Sequence, residues 1–151
     1  MKRIIVTGAN KGLGLGIVRR LLSEYDETFL ILAARSLEKS EQSVSLLLDE
    51  NKTWKNRLIS LKLDVELDDS VAEASEKIHS VFDGISEPIH CLINNAGVGD
   101  SYLSMQRVLD VNTWGVKRVC EAFLPLITKK QGRIVNVTSV SYTHLRAHET
   151  L

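Results

Sequence analysis

The first thirty-five residues constrain the fold more than any other part of this 151-residue chain. An apolar run, Arg3-Ile4-Ile5-Val6, leads directly into Thr7-Gly8-Ala9-Asn10-Lys11-Gly12-Leu13-Gly14. A stretch of helical periodicity follows, with Leu13, Ile17, Leu21 and Leu22 expected on one face. A second apolar run then closes on Leu32-Ala33-Ala34-Arg35. Strand, glycine-rich turn, helix, strand is the unit that sets a pyrophosphate against a helix N-terminus. Gly8 permits the tight turn, Gly12 lets the backbone approach a phosphate, and Gly14 lets the helix close on the sheet. The unpaired N–H groups of the first helical turn and the positive end of the helix dipole then bind the anion. The expected dinucleotide loop comprises Gly8, Asn10, Lys11, Gly12, Leu13 and Gly14.

Strands and helices continue to alternate downstream, the pattern of a parallel sheet with helices on both faces. Strands are expected near residues 3–7, 28–34, 57–63, 89–94 and 132–138, and helices near 12–24, 37–50, 68–83 and 102–128. Asp68 or Asp69 can cap the third helix, with Val71, Ile78 and Phe82 facing the sheet. The long fourth helix directs Val108, Val111, Val119, Phe123 and Leu126 inward. Right-handed crossovers give a doubly wound α/β fold of strand order 3-2-1-4-5, with a ligand at the switch point between strands 1 and 4.

Composition narrows the partners. Hydrophobic residues make up 44% of the chain, enough for one globular domain. The net charge is zero, which gives no electrostatic reason to expect nucleic acid or an anionic membrane. No apolar run approaches the ~20 residues that span a bilayer. The N-terminus enters a strand directly, without the pattern of a secretory signal, so the cytoplasm is the expected compartment. Cys91 and Cys120 lie in apolar stretches and are expected as buried, reduced thiols. His144 and His148 stand four apart, but two ligands without a third make a poor zinc site, and no metal is expected.

The glycine spacing, T-G-x-x-x-G-x-G from Thr7 to Gly14, resembles that of the short-chain dehydrogenase/reductase family. Four further motifs follow in the family's order: Asp64-Val65, Asn94-Asn95-Ala96-Gly97, Asn112, and Ile134-Val135-Asn136-Val137-Thr138-Ser139. The resemblance covers residues 1 to about 140. It implies that Asp64 caps the adenine amino group, that Val65 packs nearby, and that Asn94, Ala96 and Gly97 line the adenosine ribose. It also implies a Rossmann-like fold and hydride transfer between a nicotinamide ring and a carbonyl carbon. Ser139 would hydrogen-bond the substrate oxygen and Asn112 would support a proton relay. The family's Tyr-x-x-x-Lys does not follow Ser139. Tyr142 and Arg146 have its spacing, but too close to the serine, and arginine cannot replace a titratable lysine.

Cofactor choice rests on charge. NAD-preferring units place Asp or Glu at the end of the second strand for the ribose 2′-hydroxyl. Here Arg35 and Ser36 occupy that place, and Lys11 sits in the glycine loop. Two cations suit a 2′-phosphate, so NADP is the expected cofactor, as in carbonyl-reductase-like members. Residues 1–140 are read as the N-terminal part of the NADP-binding domain. Residues 141–151 match nothing the family places next. They read as translated adaptor sequence, and failing that as the product of alternative splicing or of divergence. The expected function is NADPH-dependent reduction of a small-molecule carbonyl. The rival is a non-catalytic dinucleotide-binding module. An S-adenosylmethionine-dependent transferase is disfavoured by Arg35 and by Asn94-Asn95-Ala96-Gly97.

Overall fold

A computed structural model describes residues 1–99 and 103–138. Five strands form one parallel sheet in the order β3-β2-β1-β4-β5. They are β1 (Lys2–Thr7), β2 (Thr28–Ala34), β3 (Leu58–Lys62), β4 (Cys91–Asn94) and β5 (Arg133–Asn136). Ile5 lies opposite Ile31 on one side and Leu92 on the other, and Ile93 continues across to Val135. The expected α/β architecture and strand order are those observed.

Both faces of the central strands are covered, which is why β1 and β2 read as unbroken apolar runs rather than alternating ones. Ile4, Val6, Leu30 and Leu32 pack on one face against Val18, Leu22 and Leu47. These come from α1 (Gly12–Glu24) and α2 (Leu37–Glu50). Ile5, Ile31 and Leu92 pack on the other face against Val71 and Ile78 of α3 (Asp68–Val81), and against Val119 and Phe123. The buried stripe of α1 is Gly14, Val18 and Leu22, at i, i+4 and i+8. Leu13, expected on that face, is instead 63% exposed, because it starts the helix at the rim of the sheet.

Helix starts also differ from expectation. Neither Asp68 nor Asp69 caps α3: Leu67 holds the N-cap position and makes no side-chain bond. The two carboxylates fall in the first turn, where they favour the helix dipole. The helix expected over 102–128 is divided into α4 (Met105–Leu109), a π-helical turn (Asp110–Gly115) and α5 (Val116–Phe123). A short 3₁₀ turn, Leu124–Leu126, follows with Pro125 at its start. Every residue of β5 is exposed, including Ile134 at 40% and Val135 at 45%.

Candidate functional site

The C-terminal ends of β1 and β4 diverge into helices on opposite faces of the sheet, and a cleft of about 420 Å³ opens between them. The glycine loop forms one side through Gly8, Asn10, Lys11, Gly12, Leu13 and Gly14. Arg35 closes the end beyond β2, and Ala96 and Gly97 line the segment after β4. Asp64 and Val65, after β3, form the far wall. Eleven of the residues singled out in the sequence thus meet in one cleft. Leu63, Glu66, Asn95, Val98 and Val111 join them without having been singled out as site residues.

The loop is held by contacts between the end of β1 and the segment that follows β4. Thr7 is buried at 2% exposure. Its Oγ1 accepts hydrogen bonds from the backbone N–H of Asn95 at 3.0 Å and of Ala96 at 2.9 Å. Asn95 answers through Nδ2, which donates to the carbonyls of Thr7 at 2.9 Å and Gly8 at 3.2 Å. Gly8 has φ +63, and a Cβ there would stand 2.8 Å from Ala96 Cα. A Cβ on Gly14 would meet Gly8 O at 2.6 Å. Both glycines are therefore demanded by close approach, and Gly8 also by its left-handed backbone.

The start of α1 is suited to an anion. Its N-cap residue, Lys11, makes no side-chain capping bond, and the first turn carries no acidic residue. The first helical bond runs from Leu15 N–H to Lys11 O at 3.3 Å, so the preceding amides need a partner from outside the helix. Gly12 has φ +55, with open space where a Cβ would lie. From α2, Ser43 Oγ donates to Asn10 O at 2.8 Å and ties the loop to the helix that follows Arg35. Ser36 does not line the cleft; its Oγ caps α2 by accepting from Lys39 N–H at 3.3 Å.

The far wall is a short turn. Asp64 N–H donates to Ser70 Oγ at 2.9 Å, and Asp64 Oδ1 accepts from Glu66 N–H at 3.1 Å. Two arginines of the helical segment after β4 reach this turn. Arg107 pairs with Glu66 at 3.5 Å. Arg118 pairs with Asp68 and also donates to Val65 O at 2.6 Å.

Asn94 lies beneath the cleft at 3% exposure, where Nδ2 donates to Asn136 Oδ1 at 2.8 Å and to Cys120 Sγ at 3.3 Å. Asn112 sits in the π-helical turn. Its Nδ2 donates to Val98 O at 2.8 Å, and its Oδ1 accepts from Val98 N–H at 2.9 Å. The side chain is thus a clamp on the segment after β4. Ser139 lies outside the described residues, as do Tyr142 and Arg146. Both cysteines are free; Cys91 is buried and Cys120 half-buried. Burial pushes the Cys91 thiol up, against a smaller opposing effect of Arg133. Among the described residues no His, Cys, Asp and Glu cluster could hold a metal, and no helix is long and apolar enough to cross a membrane.

The strand order, the glycine turn and the cleft at the switch point have counterparts in known proteins. The mitochondrial D-beta-hydroxybutyrate dehydrogenase of Bos taurus is 34% identical over 146 residues, covering 92% of this chain and 41% of that protein. NADPH carbonyl reductase 1 of Mus musculus is 31% identical over 143 residues, covering 90% and 48%. The chain thus spans less than half the length of either relative. The solved alcohol dehydrogenase of the archaeon Thermococcus sibiricus, complexed with 5-hydroxy-NADP, superposes with a TM-score of 0.75 at 31% identity. That superposition covers 92% of this chain and 58% of the other. The short chain dehydrogenase family matches residues 2–150, and with this fold and this glycine turn the chain belongs to that family.

Proposed function

We propose that the cleft binds NADP(H), and that the chain supplies the cofactor-binding part of an oxidoreductase that reduces a small-molecule carbonyl to an alcohol. One observation carries the cofactor choice: Lys11 and Arg35 both line the cleft, and Arg35 follows the end of β2 where NAD enzymes carry a carboxylate. The amides at the start of α1 bind the pyrophosphate, while Arg35 and Lys11 bind the ribose 2′-phosphate. Asp64 accepts a hydrogen bond from the adenine amino group, and Ala96 and Gly97 leave room for the ribose. When bound, the nicotinamide ring supplies a hydride to the carbonyl carbon. Ser139 orients the carbonyl oxygen, which then takes up a proton. Asn112 fixes the segment after β4 on which the cofactor lies.

No Tyr-x-x-x-Lys follows Ser139 in this sequence, and a positioned general acid contributes ~10²- to 10⁴-fold. The 151-residue chain is therefore expected to bind NADPH without reducing carbonyl compounds. NADPH oxidation that disappears on Tyr142→Phe would overturn this. The same sequence feature favours the second reading, a dinucleotide-binding module without catalysis. Genomic sequence encoding an in-frame Tyr-x-x-x-Lys after Ser139 would decide for the enzyme.

Arg35→Asp tests the cofactor. A charge-assisted hydrogen bond is worth roughly 1.5–3 kcal/mol, so NADPH binding should weaken by about one to two orders of magnitude while NADH binding holds or improves. Titration of nucleotide fluorescence reads both. Equal affinity of the unmodified chain for the two dinucleotides would refute the proposal.

A further inference from the structure

We infer that Gly115, Arg118 and Arg107 are positioning residues for adenine recognition, acting through the Asp64–Glu66 turn without lining the cleft themselves. The inference rests on the dinucleotide reading and deepens it at one end of the ligand. The turn follows β3, an edge strand whose described partner is β2 alone, so support must come from the other side of the cleft.

That support is the helical segment after β4. Gly115 has φ −61 and ψ −44, a conformation every residue adopts, so the backbone does not require glycine there. Glycine is also a poor helix former. Contact is what requires it. A Cβ on Gly115 would stand 3.0 Å from Val65 Cγ2 and 3.1 Å from Val65 O. Beside this seat, Arg118 donates to Val65 O at 2.6 Å and pairs with Asp68, so one guanidinium ties the turn to the start of α3. On the other side of the π-helical turn, Arg107 pairs with Glu66 at 3.5 Å. Arg118 thus holds Val65 and Asp68, Arg107 holds Glu66, and Gly115 provides the seat for Val65.

Asp64, between β3 and these grips, commits Oδ1 to Glu66 N–H; among the described residues its other carboxylate oxygen has no hydrogen-bond partner. A hydrogen bond to a base amino group tolerates little displacement. A shift of Val65 by a few tenths of an ångström carries the Asp64 carboxylate with it. The three residues thereby determine how well the site separates a base with an amino group from one without.

The test titrates the full chain with NADPH and with its hypoxanthine analogue, in which a ring carbonyl replaces the adenine amino group. The unmodified chain should prefer NADPH by about tenfold. Gly115→Ala and Arg118→Met should each weaken NADPH by about three- to tenfold, the size of one hydrogen bond. Binding of the analogue should stay unchanged, so the preference falls toward unity. Arg107→Gln, at a more exposed position, should reduce the preference less and keeps the test decisive if the other two variants do not fold. A preference retained in folded variants, or equal weakening of both ligands, would overturn the positioning role. An unmodified chain that binds both ligands without preference would remove the role of Asp64 and this inference with it. Failure to bind either ligand would instead refute the dinucleotide reading.

Discussion

Thr7→Val should destabilise the chain more than Thr7→Ser, the reverse of what burial of apolar surface alone would give. Valine keeps the shape of threonine and removes only the hydroxyl. At 2% exposure, the added apolar character should on its own be neutral or favourable. Thr7 Oγ1, however, is the acceptor for two backbone donors, Asn95 N–H at 3.0 Å and Ala96 N–H at 2.9 Å. Each buried donor left without a partner costs about 1–3 kcal/mol. Asn95 and Ala96 are half-buried, so water can repay part of that cost and the lower end applies. The sum is about 2 kcal/mol, a factor of about 30 in the folded-to-unfolded ratio. Serine keeps the acceptor and gives up one methyl group, about 0.8 kcal/mol. Urea unfolding followed by the fluorescence of buried Trp54 should place the valine midpoint about 1 M below the parent, with serine between them. Hydrogen exchange at the Asn95 and Ala96 amides should accelerate in Thr7→Val alone. A valine variant as stable as the parent would show that Thr7 does not hold the two strand ends together.

Two further expectations concern titration and surface. Burial pushes the His90 imidazole below its usual pKa of 6.5, and the charges of Lys2 and Arg133 push the same way. The unfolded chain then takes up the proton first as pH falls, so stability present above about pH 6.5 is lost as the pH drops through the folded-state value. His90→Gln should flatten stability below that pH, and an unchanged profile would remove His90 as the cause. Val135, 45% exposed on β5, presents an apolar group on a strand whose described partner is β4 alone. Exposed apolar strand edges promote pairing between chains. Val135→Lys should reduce concentration-dependent association in sedimentation velocity, and equal association by the variant would refute the role of that edge.

The primary structure by itself determined the alternation of strands and helices and the glycine turn, because these rest on local periods and short spacings, and right-handed crossovers between the alternating elements then gave the strand order. Gly8, Gly12, Gly14 and Arg35 could be singled out because each belongs to a short motif whose chemistry is local to a few residues, whereas Asp64 and Ala96 were singled out by the resemblance to the family. The tertiary structure alone decided what those motifs lean on. Thr7 and Asn95 meet across 88 residues of chain, and nothing local marks a threonine hydroxyl as the acceptor for a distant strand end. Periodicity and composition do not separate Asn94 from Asn95, and only the resemblance pointed to Asn94 for the ribose. The pleat sends Asn94 beneath the cleft to Asn136 and leaves Asn95 to hold the loop. Ser36 and Asp68 took partners, the start of α2 and Arg118, that helix geometry and the packing of α3 on α5 supply. The π-helical turn adds one residue to a helix whose apolar period already looked complete, and it is there that Asn112 reaches Val98 and Gly115 receives Val65. A period states which face a residue occupies; only the packed chain states which atom waits on the other side.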